Sequence, residues 1–128
     1  MLTPLEVALV AHNERFADDD PRWLDQVADL VDGLRRGTDS VRYRRTPVPG
    51  TKGTVDQLIL SLGSAGVFTA AIEIVRAWLA RDKRRAIEMT VTGADGQQRT
   101  VRVTAENAGP ESFAHILAVV STTLRERQ

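Results

Sequence analysis

The sequence predicts a single α+β domain over residues 1–128, with a four-stranded mixed sheet, helices packed mainly on one face, and the order β-α-β-α-β-β-α. Three observations lead there. Two stretches, one opening at Pro21 and one at Pro110, place their apolar residues at helical spacing. Two alternating runs on either side of Gly93 and Gly96 read as a β-hairpin. The chain has 128 residues and no cysteine, so it is long enough to bury a core without disulfide staples.

From Leu5 to Ala11, Leu5, Val7 and Leu9 alternate with Ala8 and Val10, apolar on both sides, which predicts a strand inside the sheet. The acidic loop after it holds Asp18, Asp19 and Asp20, a pattern that raises a cation site. Capping explains it better, because Asp20 precedes Pro21, and proline is favoured at the first helical position. The helix then carries Trp23, Val27, Leu30, Val31 and Leu34 as one stripe to Arg36, with Gly37 as its C-terminal cap. Asp25, Asp29 and Asp32 form a solvated opposite face, lacking the cleft that paired catalytic carboxylates need. Residues 40–48 predict a second strand, Val41 and Tyr43 on one side and Arg42 and Arg44 on the other. Pro47, Pro49, Gly50 and Gly53 bend the connection that follows, with Lys52 exposed on it.

Residues 54–82 predict a long apolar central helix. Thr54 and Gln57 match a capping box, Asp56 suits the first turn, and no charge interrupts the run from Leu58 to Ile72. Trp78 and Leu79 close the apolar part, and Arg81, Lys83, Arg84 and Arg85 meet the carbonyl end. The run is shorter than the about 20 apolar residues that a bilayer span needs, so membrane insertion is not expected. Gly63 and Gly66 lie within it, and each glycine costs about 1 kcal/mol against alanine inside a helix. Three readings offset that cost: a kink or break at 63–66 with Ser64 capping a second helix, close approach of another helix at the small residues Ser61, Ala65 and Thr69, or an anion cradle. The cradle ranks last, since the phosphate-loop spacing is absent. The second reading implies a homo-oligomer.

The hairpin has a definite predicted register, with Met89 opposite Val101, Ile87 opposite Val103, Thr90 opposite Thr100 and Glu88 opposite Arg102. A loop of Ala94, Asp95 and Gly96 puts glycine at a left-handed position. The last helix follows Gly109, its stripe being Phe113, Ile116, Leu117, Val120 and Leu124.

Chemistry is sparse. The absence of cysteine excludes thiol catalysis and thiolate metal sites, and basic and acidic residues balance at 17 each, so no general pull toward nucleic acid or anionic lipid exists. The N-terminus lacks the charge and cleavage pattern of a signal peptide, which predicts a cytoplasmic protein. His12 has no serine or aspartate motif aimed at it, and His115 lies about 200° around the last helix from Phe113, so neither suits catalysis. No catalytic, cofactor or metal residues are assigned. The surface that stands out is a polar sheet face on which Arg42 and Arg44 join Glu88, Thr90, Thr100, Arg102 and Thr104. It is either solvent surface or a contact for an acidic partner, and it has no aromatics to stack RNA bases.

The segment from Leu60 to Gly66, LSLGSAG, followed by Arg76-Ala77-Trp78-Leu79, a basic cluster and the hairpin with Ala94-Asp95-Gly96, resembles the effector-associated constant component family of bacterial conflict systems over residues 24–124. The resemblance implies a non-enzymatic interaction component working beside a variable effector, such as a trypsin-like or caspase-like peptidase, and a nucleotide-dependent regulator. It carries over no catalytic residues. Contact residues are then expected among Arg42, Arg44 and Arg102 on the sheet and Ser61, Ala65 and Thr69 on the central helix. Two other readings compete: a small dimeric nucleic-acid-binding regulator using Arg42, Arg44 and residues 81–85, and a small-ligand domain with a pocket between residues 63–66 and the sheet.

Overall fold

The computed structural model describes residues 5–17, 20–38, 41–47, 50, 54–92 and 96–126. Its elements are β1 (Leu5–Asn13), α1 (Pro21–Thr38), β2 (Val41–Pro47), β3 (Thr54–Leu62), α2 (Ala65–Leu79), β4 (Arg85–Thr92), β5 (Gln98–Thr104), a 3-10 turn (Ala105–Asn107) and α3 (Pro110–Glu126). The α+β class stands, but the sheet has five strands among the described residues, in the order β2-β3-β1-β4-β5.

The extra strand is the first half of the expected central helix. Residues 54–62 pair on both edges, with β1 and with β2, so they are β3 and not helix. The physical reason is a period of two hidden in an apolar run: Leu58, Leu60 and Leu62 are buried, while Gln57, Ile59 and Ser61 between them are half-buried. Thr54 and Gln57 therefore lie within a strand and open no helix. The break itself falls where the glycines lie. Ser64 is extended (φ −155°), and its hydroxyl accepts a hydrogen bond from the Val67 amide at 3.3 Å, which opens α2.

All neighbouring strand pairs are antiparallel, correcting the expected mixed sheet. β1 and β2 run the same way with β3 between them, and β3 and β4 run the same way with β1 between them. Two split β-α-β units are thus interleaved, the ferredoxin-like arrangement, with β5 added as a hairpin partner of β4. The hairpin register agrees with the sequence expectation at all four pairs. Gly96 has φ +82°, as a left-handed loop glycine should, while Ala94 and Asp95 fall outside the described residues.

One apolar cluster holds the fold. Leu5, Val7 and Leu9 of β1, with Leu58 and Leu60 of β3 and Ile87 and Met89 of β4, meet Trp23 and Leu34 of α1, Phe68 and Val75 of α2, and Phe113 and Val120 of α3. Asp20 caps α1 as expected, its carboxylate accepting from the Arg22 amide at 2.9 Å. Asp18 and Asp19 lie outside the described residues. Gly37 does not end α1, which runs one residue further to Thr38. A Cβ on Gly37 would stand 2.5 Å from Ile74 Cδ1, and one on Gly33 3.2 Å from Ile74 Cγ2, so this pair of glycines lets α1 and α2 come close.

The α1–α2 seam ends in a polar plug. Trp78 packs against Trp23 at 5.9 Å between centroids and donates from Nε1 to the Gln26 carbonyl at 2.9 Å. Arg85, only 8% exposed, lays its guanidinium 4.4 Å from the Trp78 ring centroid. Its Nη1 donates to the Trp78 carbonyl at 2.6 Å, and its Nε and Nη2 donate to Gln26 Oε1 at 3.1 and 2.8 Å. Burial lowers the Arg85 pKa from its ordinary value. Among the described residues no helix is long and apolar enough to cross a membrane.

Candidate interaction face

Side chains alternate along a strand, so burying one face of the sheet under the helices presents the other. Two rows cross that second face. Arg42, Ile59, Ala8, Thr90 and Thr100 stand side by side across all five strands, and Arg44, Gln57, Val10, Glu88 and Arg102 form the next row. His12 and Thr104 lie beyond the second row, either side of Ala86.

Charge is tied down across the rows. Arg42 pairs with Glu6, and Arg102 pairs with Glu88 at 2.8 Å. The hydroxyls of Thr90 and Thr100 are 2.9 Å apart. His12 Nε2 lies 3.2 Å from the same Glu88 oxygen without hydrogen-bond geometry. Arg44 is exposed and has no ion pair among the described residues. Three arginines therefore face two carboxylates, which leaves a local positive excess on a chain of zero formal charge.

The structure brings Arg42, Arg44 and Arg102 onto this one face with Glu88, Thr90, Thr100 and Thr104, as the alternation predicts. Of the other three candidates, Ser61 shares this face by register, while Ala65 and Thr69 lie on α2. Ser61 is on β3, opposite Glu6. Ala65 is the first residue of α2, and exposed Thr69 lies one turn on, its hydroxyl donating to the Ala65 carbonyl at 3.0 Å. They share no helical stripe, because the chain changes from strand to helix between the first and the second. Glu6, Gln57 and Ile59 belong to the face and were missed. Glu6 was legible as the polar member of the alternation Leu5-Glu6-Val7, whereas the helix reading of 54–82 hid the other two.

The arginine-rich turn after α2 is not one surface either. Arg81, Lys83 and Arg84 are exposed, but Arg85 turns inward to Gln26 and Trp78. Among the described residues, three clefts bear on the ligand reading. One of about 500 Å³ lies between α1 and β2 and is lined by Leu24, Val27, Val31, Asp32, Arg35 and Tyr43. A second, of about 540 Å³, runs along the α1–α2 seam past Asp29, Arg36 and Ile74. A third, of about 140 Å³, lies near His12 and Arg84. None of the three includes residues 63–66, where Gly63 faces open space. No cluster of three or more metal-ligating side chains occurs among the described residues.

These features define a small α+β domain with a helix-covered sheet whose other face is polar and arginine-bearing. The model of the family Effector Associated Constant Component 1 matches residues 17–121, so the chain belongs to that family. It is accordingly a component of bacterial conflict systems. No curated protein and no solved structure matches it.

Proposed function

We propose that this chain is a non-enzymatic interaction component that binds a protein partner, an effector peptidase or a regulatory ATPase of the same system, through the open sheet face. One observation carries the reading: a five-stranded sheet leaves Arg42, Arg44 and Arg102 together on its uncovered side. A polar sheet face of this kind offers flat, charge-selective contact, and charge complementarity sets partner choice more than raw affinity. The nucleic-acid reading is weakened by the burial of Arg85, which breaks the basic run at 81–85.

The test is capture of the products of neighbouring genes by purified wild-type protein and by the Arg42→Glu, Arg44→Glu double variant, with circular dichroism as the control for folding. Loss of capture with an intact spectrum supports the reading. Unchanged capture returns this face to plain solvent surface. Binding of a duplex or single-stranded DNA probe that weakens steeply with salt would favour the nucleic-acid reading instead.

A further inference from the structure

Not every group on the open sheet face has a fixed charge. His12 stands on it near the end of β1, the central strand, in register with Ala86 and two residues past the row of Arg44, Val10, Glu88 and Arg102. Its side chain is 37% exposed, yet Nε2 is sealed from solvent, makes no hydrogen bond to the described residues, and lies 3.2 Å from Glu88 Oε1. That same oxygen already accepts from Arg102 Nη1 at 2.8 Å. Histidine is the side chain whose ordinary titration falls between about pH 5 and pH 8.

On a neutral imidazole, Nε2 is either a lone pair set against a carboxylate oxygen or an N–H that misses it, and His12 adds no charge to the face. On an imidazolium both ring nitrogens are donors. A protonated His12 therefore stands as a second cation beside Glu88, in competition with Arg102 for one oxygen, and three arginines facing two carboxylates become four cations facing the same two. The remaining charges around His12 balance each other. Lys83 and Arg84, in the turn before β4, are matched by Glu14, just after β1, and Glu106, in the 3-10 turn. Gln57, the nearby β3 residue on this face, carries none, and Arg85 is turned inward to Gln26 and Trp78. We infer that His12 is a pH-sensitive control on the open face, whose protonation loosens the hold of Glu88 on Arg102 and raises the positive charge that an acidic partner meets. This rests on the sheet-face reading above and deepens it by giving the regulation of that site.

Nuclear magnetic resonance between about pH 8 and pH 5.5, the window in which histidine titrates, tests the coupling in the whole chain. In wild type the Arg102 Nε–H signal should move with the same midpoint as the His12 ring. It should stay still in His12→Gln, and also in Glu88→Gln, which removes the contested charge and keeps the shape. An Arg102 signal that ignores the His12 ring, or that moves equally in both variants, would overturn the inference. The consequence for binding is read by fluorescence polarisation with a labelled polyaspartate of about ten residues, a probe that stays ionised across this window. At low salt, wild type should bind it at least about threefold tighter at pH 6 than at pH 8, because a unit charge has joined the face. His12→Gln, with an unchanged dichroism spectrum, should lose that difference, and His115→Gln should keep it, since His115 is exposed on α3. Equal binding by wild type at the two pH values, a difference that survives in His12→Gln, or no binding at either pH would each overturn the inference. A neighbouring gene product captured equally at pH 6 and pH 8, but lost with the Arg42→Glu, Arg44→Glu variant, would overturn the pH control while leaving the sheet-face reading intact. Both readouts as expected, with no gene product captured at either pH, would overturn that broader reading alone.

Discussion

Trp78→Ala should destabilise the domain by about 4 kcal/mol, judged from the 3–5 kcal/mol typical of removing a core aromatic. The side chain is 2% exposed, and three partners lose something with it. Trp23 loses a ring neighbour 5.9 Å away, the Gln26 carbonyl loses its indole donor, and the Arg85 guanidinium loses the ring beneath it. The lost hydrogen bond adds about 1 kcal/mol to the loss of packing, although the Gln26 carbonyl keeps its bond within α1. Urea unfolding followed by far-ultraviolet circular dichroism measures it independently of the tryptophan that remains. Trp78→Phe is the companion, keeping most of the packing and losing only the donor, and should cost about 1–2 kcal/mol. A change within about 0.5 kcal/mol for Trp78→Ala, the size of an ordinary surface substitution, would refute the reasoning and take the α1–α2 seam out of the core.

The other predictions are cheaper to test. Arg85→Met should cost about 1–2 kcal/mol in the same urea assay, because half-buried Gln26 Oε1 loses both guanidinium donors and the Trp78 carbonyl keeps only the Arg81 amide. Ser64→Ala should cost about 1 kcal/mol, and Ser64→Asp almost nothing, since the loss is that of a helix cap. Asp20 has a pKa below its ordinary 3.8 because the Arg22 side chain hydrogen-bonds to it, with the Arg22 amide adding to the effect. A depressed carboxylate pKa stabilises the fold above the unfolded-state value and is lost as pH falls through the folded one. The stability gap between wild type and Asp20→Ala should therefore be open at pH 7 and shrink below about pH 4, as comparison of urea midpoints across that window would show.

What the sequence disclosed depended on whether a segment's period was visible. The 87–104 hairpin declared itself because strict alternation and a loop glycine agree, so the register followed pair by pair. Helix α1 was equally plain, except that Gly37 looked like an ending and instead serves contact with Ile74 on another helix, a tertiary cause that no local pattern carries. Residues 54–79 failed because a strand and a helix follow each other within an uncharged apolar run, and a false capping box at Thr54 agreed with the wrong choice. On the open face, Arg42, Arg44, Glu88 and Arg102 were legible from alternation alone. Their crosswise order was not, since it depends on β3 lying between β1 and β2.

That inserted strand also decides what β2 can do. If residues 54–62 were helical, β1 and β2 would be the strands joined by α1, free to lie as parallel neighbours, and the other side of β2 would have no defined partner. With β3 between them, β2 is displaced to the rim, bonded to the core sheet on one edge and bordered by a groove along α1. A rim strand is usually blunted against aggregation by its charges, and the sequence of β2 carries three arginines, at 42, 44 and 45. Here Arg42 and Arg44 stand on the open face, where like charges oppose a second copy laid along this rim.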